Sequence, residues 1–434
     1  MDRFLTPNPD PTSFLAHLKS RGLMQDSTPH LEEYLKSCAT SGLVPKVYIG
    51  FDPSAESLQV GNLLAALMLR RAQLHGLQPL ILLGGATGLI GDPSGKKEER
   101  TLLDKEIAKG NLEKIKKQLA NLIDTNEGKF QAKFVNNFDW FSEFNYLDFL
   151  RDVGKHITIN YMLAKDSVKI RLETGISYAE FGYMLIQGYD FLHLFEKEDC
   201  RIQIGGSDQW GNMTTGLELI RRKHSKESHA LSAPLLTDSA GNKLGKSEKG
   251  AIFLDAKLTS PFKFYQFWLQ QPDSDTPKLL RTLTLLKDEY IQNLEEQMKS
   301  QPEARPGQRV LAHELTRMVH GEEAALGSEN ASRVLFSKDP KMLDALSPQG
   351  LELLAQEVPS SRWQKDVPLL DLLVSSSLCA SKTEARRHVK SGACAINREK
   401  VTDENFVVKS ESFQGRKWIL LGLGKSNLHV LLKD

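Results

Sequence analysis

From residue 47 to about 255, short apolar runs of strand length alternate with longer stretches in helical period, which predicts an α/β fold on a doubly wound parallel sheet. Residues 47–51 predict a strand, 63–75 an amphipathic helix ended by Gly76, 80–83 the next buried strand and 201–204 a later one. In such a sheet ligands gather outside the carboxyl ends of the strands, so the polar clusters after these runs are where chemistry is to be sought. From 260 to about 336 the period is helical without a strand signal; 264–269 opens one helix and 310–319 forms another. Pro359, Ser360 and Ser361 read as a linker, and 367–434 as a small separate unit of two short helices followed by strands. The pattern divides the chain into a Rossmann-like domain with an N-terminal extension (1–259), a helical domain (260–358), and a linker with a small α+β domain (359–434).

Composition narrows the class. At 434 residues the chain exceeds what one hydrophobic core usually organises. Apolar residues at 40% and charged residues at 26% describe an ordinary soluble globular protein. A net charge of +1 averages over any basic face, so nucleic-acid binding has to be argued locally. The local surplus lies at the end: across 365–434 twelve Lys or Arg stand against eight Asp or Glu, and one helix there carries Lys382, Arg386, Arg387 and Lys390. The pattern also fits an ordinary solvated helix face. Cys38, Cys200, Cys379 and Cys394 form no CxxC pair, which argues against a zinc site or a disulfide framework and for a reducing cytoplasm. Residues 1–11 lack the apolar run of a signal peptide or membrane anchor and the Arg-rich look of a transit peptide.

Five polar clusters carry candidate chemistry. In the first, Gly50, Asp52, Ser54, Gln59, Gly61 and Asn62 run from a strand through a polar turn into a helix. Free backbone N–H groups beside glycine make a seat for phosphate, although a plain strand-to-helix connection has the same look. The second is a loop with five glycines between 84 and 95, containing Asp92 and followed by Lys96. Such a loop accepts an entropic cost that a merely structural one avoids; its Asp92 suits a substrate ammonium, or a simple turn before Pro93. Third, Tyr183, Gln187 and Asp190 fall on one helix face among apolar neighbours, which fits a binding site or an internal hydrogen-bond network. The fourth, with Gly206, Asp208 and Gln209, is another glycine-rich turn at a strand end. The fifth, Lys243, Gly245, Lys246 and Ser247, reads as a basic loop able to close on polyphosphate, or as a solvated turn.

In this order the clusters resemble the class I aminoacyl-tRNA synthetases, and residue by residue the bacterial tyrosyl enzymes. Residues 84–97, 183–192 and 205–212 carry the resemblance most specifically, 243–247 is similar to the second class I signature, and 367–434 resembles an S4-type RNA-binding module. The resemblance implies activation of tyrosine with ATP, transfer of tyrosine to the 3′ end of its transfer RNA, Mg²⁺ accompanying ATP without a protein-bound metal, and a homodimer. It implies that Tyr48 and Asp190 hold the substrate phenol, that Asp92, Tyr183 and Gln187 surround its ammonium, and that Gln209 lies near its carboxylate. Asp208 is implied to bind the ATP ribose, and Lys96, Arg100, Lys243 and Lys246 to act on the pyrophosphate portion.

The chemistry agrees with that cast. An ionised carboxylate needs no general base to attack phosphorus; alignment and donors around the phosphates are what the enzyme must supply. Two groups aimed at one hydroxyl reject phenylalanine, and this enzyme family is itself the standard case of that discrimination, so no editing domain is expected. The pair also disfavours the tryptophanyl reading. One departure stands out: the family usually has His-x-Gly-His where this chain has Gln59, Val60, Gly61 and Asn62. Both amides keep N–H donors but cannot become cationic. Gln59, with Ser54 as its expected neighbour, sits where the family's histidine stabilises the leaving phosphates. The altered signature motivates an alternative, a catalytically impaired relative that binds RNA without adenylation; Tyr48, Asp190 and the 243–247 segment argue against it.

Overall fold

The computed structural model describes residues 3–94, 102–172, 175–239, 241–247, 250–336, 343–344, 346–424 and 427–433, excepting the side chains of Ser167, Leu172, Lys246, Ser247 and Gln349. Lys96 and Arg100 lie outside the described residues. The chain forms two compact units, 1–258 with 271–307, and 259–270 with 308–434.

The first unit is built on a six-stranded sheet: β1 (Asp26–Ser27), β2 (Lys46–Phe51), β3 (Gln78–Leu83), β4 (Lys133–Asn136), β5 (Cys200–Gly206) and β6 (His229–Ala233). Their order is β1-β6-β5-β2-β3-β4, with β1 antiparallel and the rest parallel. Parallel strands covered on both faces read as continuous apolar runs, which is why Leu80 to Leu83 are all buried. The chain winds from β2 outward to β3 and β4, then returns to lay β5 on the other side of β2. The order therefore reverses between β2 and β5, and a crevice opens there at the strands' carboxyl ends.

Three helices bring side chains to that crevice: α1 (Val60–Leu74), α2 (Tyr178–Glu198) and α3 (Trp210–His224). α1 begins at Val60, three residues earlier than the periodicity predicts, because Asn62 Oδ1 accepts the Gln59 N–H at 2.9 Å and closes a first turn over polar residues. Nor is it amphipathic: Leu63, Leu64, Ala66, Leu67, Met68, Leu69 and even Arg71 are buried. Arg71 donates to the carbonyls of Thr282 (2.9 Å) and Thr284 (2.8 Å), which fastens α1 to the end of the Thr276–Leu283 helix. The N-terminal extension is tied to the same place by Leu5 N–H to Leu285 O and Asn8 N–H to Leu74 O, both 2.8 Å.

The second unit contains a five-stranded sheet ordered β12-β11-β14-β15-β9, with β9 at Ser360–Trp363, β11 at Cys394–Ile396, β12 at Glu399–Lys400, β14 at Trp418–Leu423 and β15 at Asn427–Lys433. The stretch read as a linker is thus partly strand, pairing in parallel with β15. Its polar residues hid it, since an edge strand needs no continuous apolar face. Asn397 and Arg398, both at positive φ, make the two-residue turn between β11 and β12. Arg398 caps the Glu322–Phe336 helix by donating to Val334 O (2.8 Å) and Leu335 O (2.6 Å). Trp418 and Leu420 pack with Phe262, Val334 and Leu354, while Ile419, Leu421 and Leu423 pack with Leu369, Leu373 and Val389. Successive side chains of a strand point to opposite faces, so one strand serves two apolar layers. Helices expected to stand apart from the terminal module share its core. Among the described residues, no helix is long and apolar enough to cross a membrane.

Candidate active site

A cavity of about 470 Å³ opens at the β2–β5 crevice. From β2 and its turn come Tyr48, Gly50, Asp52 and Ser54; from the start of α1, Gln59, Gly61 and Asn62; from the glycine loop, Asp92. α2 supplies Tyr183, Gln187 and Asp190, β5 and the following turn supply Gly206, Asp208 and Gln209, and Lys243 closes the rim. Residues scattered over nearly two hundred positions are brought together because each follows a strand end or sits on one face of a covering helix.

The deep end is apolar with a few polar groups. Tyr48 is 1% exposed, packs against Phe191 at 5.3 Å between ring centroids, and its hydroxyl has no hydrogen-bond partner among the described residues. Gln203, its register partner on β5, likewise leaves Oε1 buried and unpaired. Asp190 is 1% exposed and accepts from Asn137 Nδ2 (3.1 Å) and Trp140 Nε1 (3.0 Å). Burial pushes its carboxyl well above the usual carboxylate range, against the lowering effect of those donors, while the charge of Asp52 adds to the rise. Burial also raises the Tyr48 phenol, with the nearby Asp190 adding to it.

Asp52 ties strand to helix: Oδ1 accepts from Thr87 Oγ1 (2.6 Å) and Oδ2 from the Tyr183 hydroxyl (2.8 Å). Tyr183 is thereby anchored to β2's end through Asp52. Gly84 is confined by this arrangement, since a Cβ there would lie 2.0 Å from Asp52 Oδ1. Asp92 Oδ2 accepts from Gln209 Nε2 at 2.7 Å and its Oδ1 from the Ser94 N–H at 2.9 Å. Near the mouth Lys243 Nζ lies 3.5 Å from Asp208 Oδ2; burial raises the Asp208 carboxyl and Lys243 opposes that rise.

The 243–247 segment is joined to the start of α1 through backbone hydrogen bonds of residues 252–254. Val60 N–H donates to Ile252 O (3.0 Å), Leu254 N–H to Leu58 O (2.9 Å), and Ile252 N–H to Gly245 O (3.0 Å). Gly245, at φ +84°, does not line the cavity; a Cβ on it would meet Val60 Cβ at 3.1 Å. β7 (Lys246–Ser247) pairs with β8 (Gly250–Ala251), while the side chains of Lys246 and Ser247 fall outside the described residues.

Thr87, Asn137, Trp140, Gln203 and Asn212 belong to the polar framework without having been singled out for a role. Asn137 had a signal, a polar residue directly after β4; Trp140 had none. In the second unit Lys382, Arg386, Arg387 and Lys390 are exposed on the Lys382–Lys390 helix. Lys382 pairs with Asp371, while Arg386 (2.9 Å) and Lys390 (3.3 Å) share Glu404. Much of this basic charge is locally balanced.

The family of tRNA synthetases class I (W and Y) matches residues 42–337, and the tyrosine–tRNA ligase SYY-like C-terminal domain matches 350–431. A tyrosine–tRNA ligase of Geobacillus kaustophilus is 45% identical over 419 residues, covering 96% of this chain and 99% of that protein. Tyrosine–tRNA ligase 1 of Bacillus subtilis is 46% identical over 424 residues, covering 97% and 99%. The solved structure of a C-terminally truncated mitochondrial tyrosyl-tRNA synthetase from Aspergillus nidulans matches with a TM-score of 0.66 at 32% identity, covering 74% of this chain and 94% of that one. A tryptophanyl-tRNA synthetase from Encephalitozoon cuniculi, at 13% identity and a TM-score of 0.55, shares the fold alone. The chain belongs to the class I tRNA synthetases, in their tyrosine–tRNA ligase branch, and its substrates are tyrosine, ATP and transfer RNA.

Proposed function

We propose that the deep end of the cavity takes the tyrosine side chain and its mouth the ATP. The observation that carries this reading is the Tyr48 hydroxyl, buried without a partner beside Asp190 in an apolar surround. A buried polar group without a partner is costly, and a substrate phenol relieves it. Phenylalanine leaves the Tyr48 hydroxyl unsatisfied and offers Asp190 no donor beyond Asn137 and Trp140, which is the physical basis of rejection. Asp92 and Gln187 receive the ammonium, with Tyr183 held alongside by Asp52, and Gln209 lies by the carboxylate.

The tyrosine carboxylate attacks the α-phosphorus of ATP; a carboxylate–phosphorus bond forms and the bond to the pyrophosphate oxygen breaks. Asp208 holds the ribose, with Gly50, Asp52, Gly61, Gly206 and Ser247 around the nucleotide, while Gly245, expected there too, lies against Val60 and lets the 243–247 segment turn beside it. Gln59, Asn62, Ser54, Lys96, Arg100, Lys243 and Lys246 meet the phosphates, whose charge shifts in the transition state. A hydroxyl at the 3′ end of transfer RNA then attacks the activated carbonyl and AMP leaves. Mg²⁺ enters with ATP on phosphate oxygens, neutralising their charge. Lys382, Arg386, Arg387 and Lys390 contact the RNA backbone once their carboxylate partners yield. The catalytic, helical and RNA-binding regions keep the limits 1–259, 260–358 and 359–434 in this reading.

A homodimer in the cytoplasm completes it. Of the large apolar side chains exposed among the described residues, Tyr146, Leu147, Leu150, Ile159, Leu163, Ile170 and Tyr178 fall within one short stretch, with the Tyr146 and Tyr178 hydroxyls 3.0 Å apart. An exposed apolar patch of this kind supports association. The experiment is pyrophosphate exchange into ATP with tyrosine, phenylalanine and tryptophan side by side on the parent and on Tyr48→Phe. The reading requires exchange with tyrosine alone in the parent and a narrowed preference in the variant; an unchanged preference overturns it.

A further inference from the structure

Asn212 stands on the first turn of α3, 2% exposed. Its amide nitrogen lies 2.9 Å from Gln187 Oε1, 3.3 Å from Gln209 Oε1, 3.3 Å from Ser94 Oγ and 3.4 Å from Asp92 Oδ1. A carboxamide has only two N–H donors, so its protons are shared, with the Gln187 contact the short one. The orientation follows from Asp92 outward. Asp92 accepts from the Ser94 N–H and from Gln209 Nε2, so Gln209 Oε1 is left facing Asn212 and needs a donor.

We infer that Asn212 is a positioning residue for the substrate ammonium, holding Asp92, Gln187 and Gln209 at fixed separations before tyrosine arrives. The inference rests on the ammonium reading proposed above. Asp92 rides on a glycine-rich loop, whereas Gln187 and Gln209 stand on α2 and the turn before α3, so nothing within one element sets their spacing. A shared donor does. It also yields without being stranded: when an ammonium takes up one acceptor, the amide keeps another.

The test uses Asn212→Ala and the near-isosteric Asn212→Asp in the full chain, with Asp92→Asn as reference, in pyrophosphate exchange. In Asn212→Ala the KM for tyrosine rises about tenfold while that for ATP stays within about twofold. Inhibition by the propanoate analogue of tyrosine, which lacks the amino group but keeps the carboxylate beside Gln209, weakens by about twofold at most. Asn212→Asp puts an acceptor among acceptors, so its KM for tyrosine rises further. That split is what a packing role does not produce. Equal rises for tyrosine, ATP and the analogue overturn the inference, as does an unchanged KM for tyrosine in the Asn212 variants while Asp92→Asn raises it. Should Asn212→Ala fail to fold, Asn212→Asp carries the same comparison. An unchanged KM for tyrosine in Asp92→Asn instead overturns the ammonium reading itself.

Discussion

Asn62 turns its side-chain oxygen onto the backbone N–H of Gln59, 2.9 Å away, so the third residue of α1 caps the helix that carries it. The oxygen is thereby committed, and the amide's N–H donors are what Asn62 has for the cavity it lines. Asn62→Ala is expected to lose about 1 kcal/mol of stability through the cap. Gln59→Ala is expected to slow exchange about a hundredfold with the KM for tyrosine unchanged, as removal of one phosphate donor does. Thermal melts and steady-state kinetics check both; a Gln59→Ala enzyme with parental kcat excludes Gln59 from the phosphates.

Tyr48→Phe removes one hydroxyl from a site where it lacks a protein partner. We expect tyrosine to bind about tenfold more weakly and phenylalanine to bind unchanged, narrowing the discrimination by that factor. Equilibrium dialysis with both amino acids measures it, and a parallel loss for phenylalanine reveals a packing defect instead.

Acid should loosen the N-terminal extension. The His17 and His75 rings lie 4.7 Å apart, and His75 Nδ1 is 2.7 Å from Ser13 Oγ. Burial, followed by the charge of Arg71, holds His17 at about 3 and His75 at about 4, from an ordinary value of 6.5; Arg21 adds to the lowering at His17, and Asp10 opposes it at His75. The unfolded chain takes up these protons near pH 6.5 and the folded chain only well below. Stability is therefore full above that pH and is lost as pH falls toward 4. Melting temperatures of the parent should drop across this window and those of His17→Leu should drop less; identical slopes contradict the assignment.

On the proposed homodimer, Leu147→Glu together with Ile159→Glu should turn a dimeric parent into a monomer by sedimentation, since charges desolvated in an apolar interface are costly. A parent that sediments as a monomer overturns the homodimer reading, and a variant that stays dimeric moves the interface elsewhere.

The sheet was legible because its strands are continuous apolar runs and glycine-rich loops follow them. Tyr183, Gln187 and Asp190 were legible as a set because four- and three-residue steps repeat on a helix. What escaped depends on which strands become neighbours. Tyr48 meets Gln203 only because β5 returns beside β2, and Asp190 meets Asn137 and Trp140 only because β4 ends nearby. Ser360 to Trp363 escaped for the opposite reason: the Ser361–His429 contact of 2.8 Å and the parallel pairing make a strand that no apolar alternation announces. Neither the Asp52–Tyr183 bond nor the sharing of 271–307 with the first unit has any local signature.

The strand Trp418–Leu423 sends alternate side chains into two layers. Neither layer can melt alone without stripping the other of its wall, so the second unit is expected to open cooperatively. Amides of β14 and of the Glu322–Phe336 helix should then exchange with solvent deuterium at one common rate. A cut placed after residue 358, natural as it looks in the chain, leaves Phe262, Val334 and Leu354 facing water. Residues 308–358 and the terminal module therefore stand or fall together.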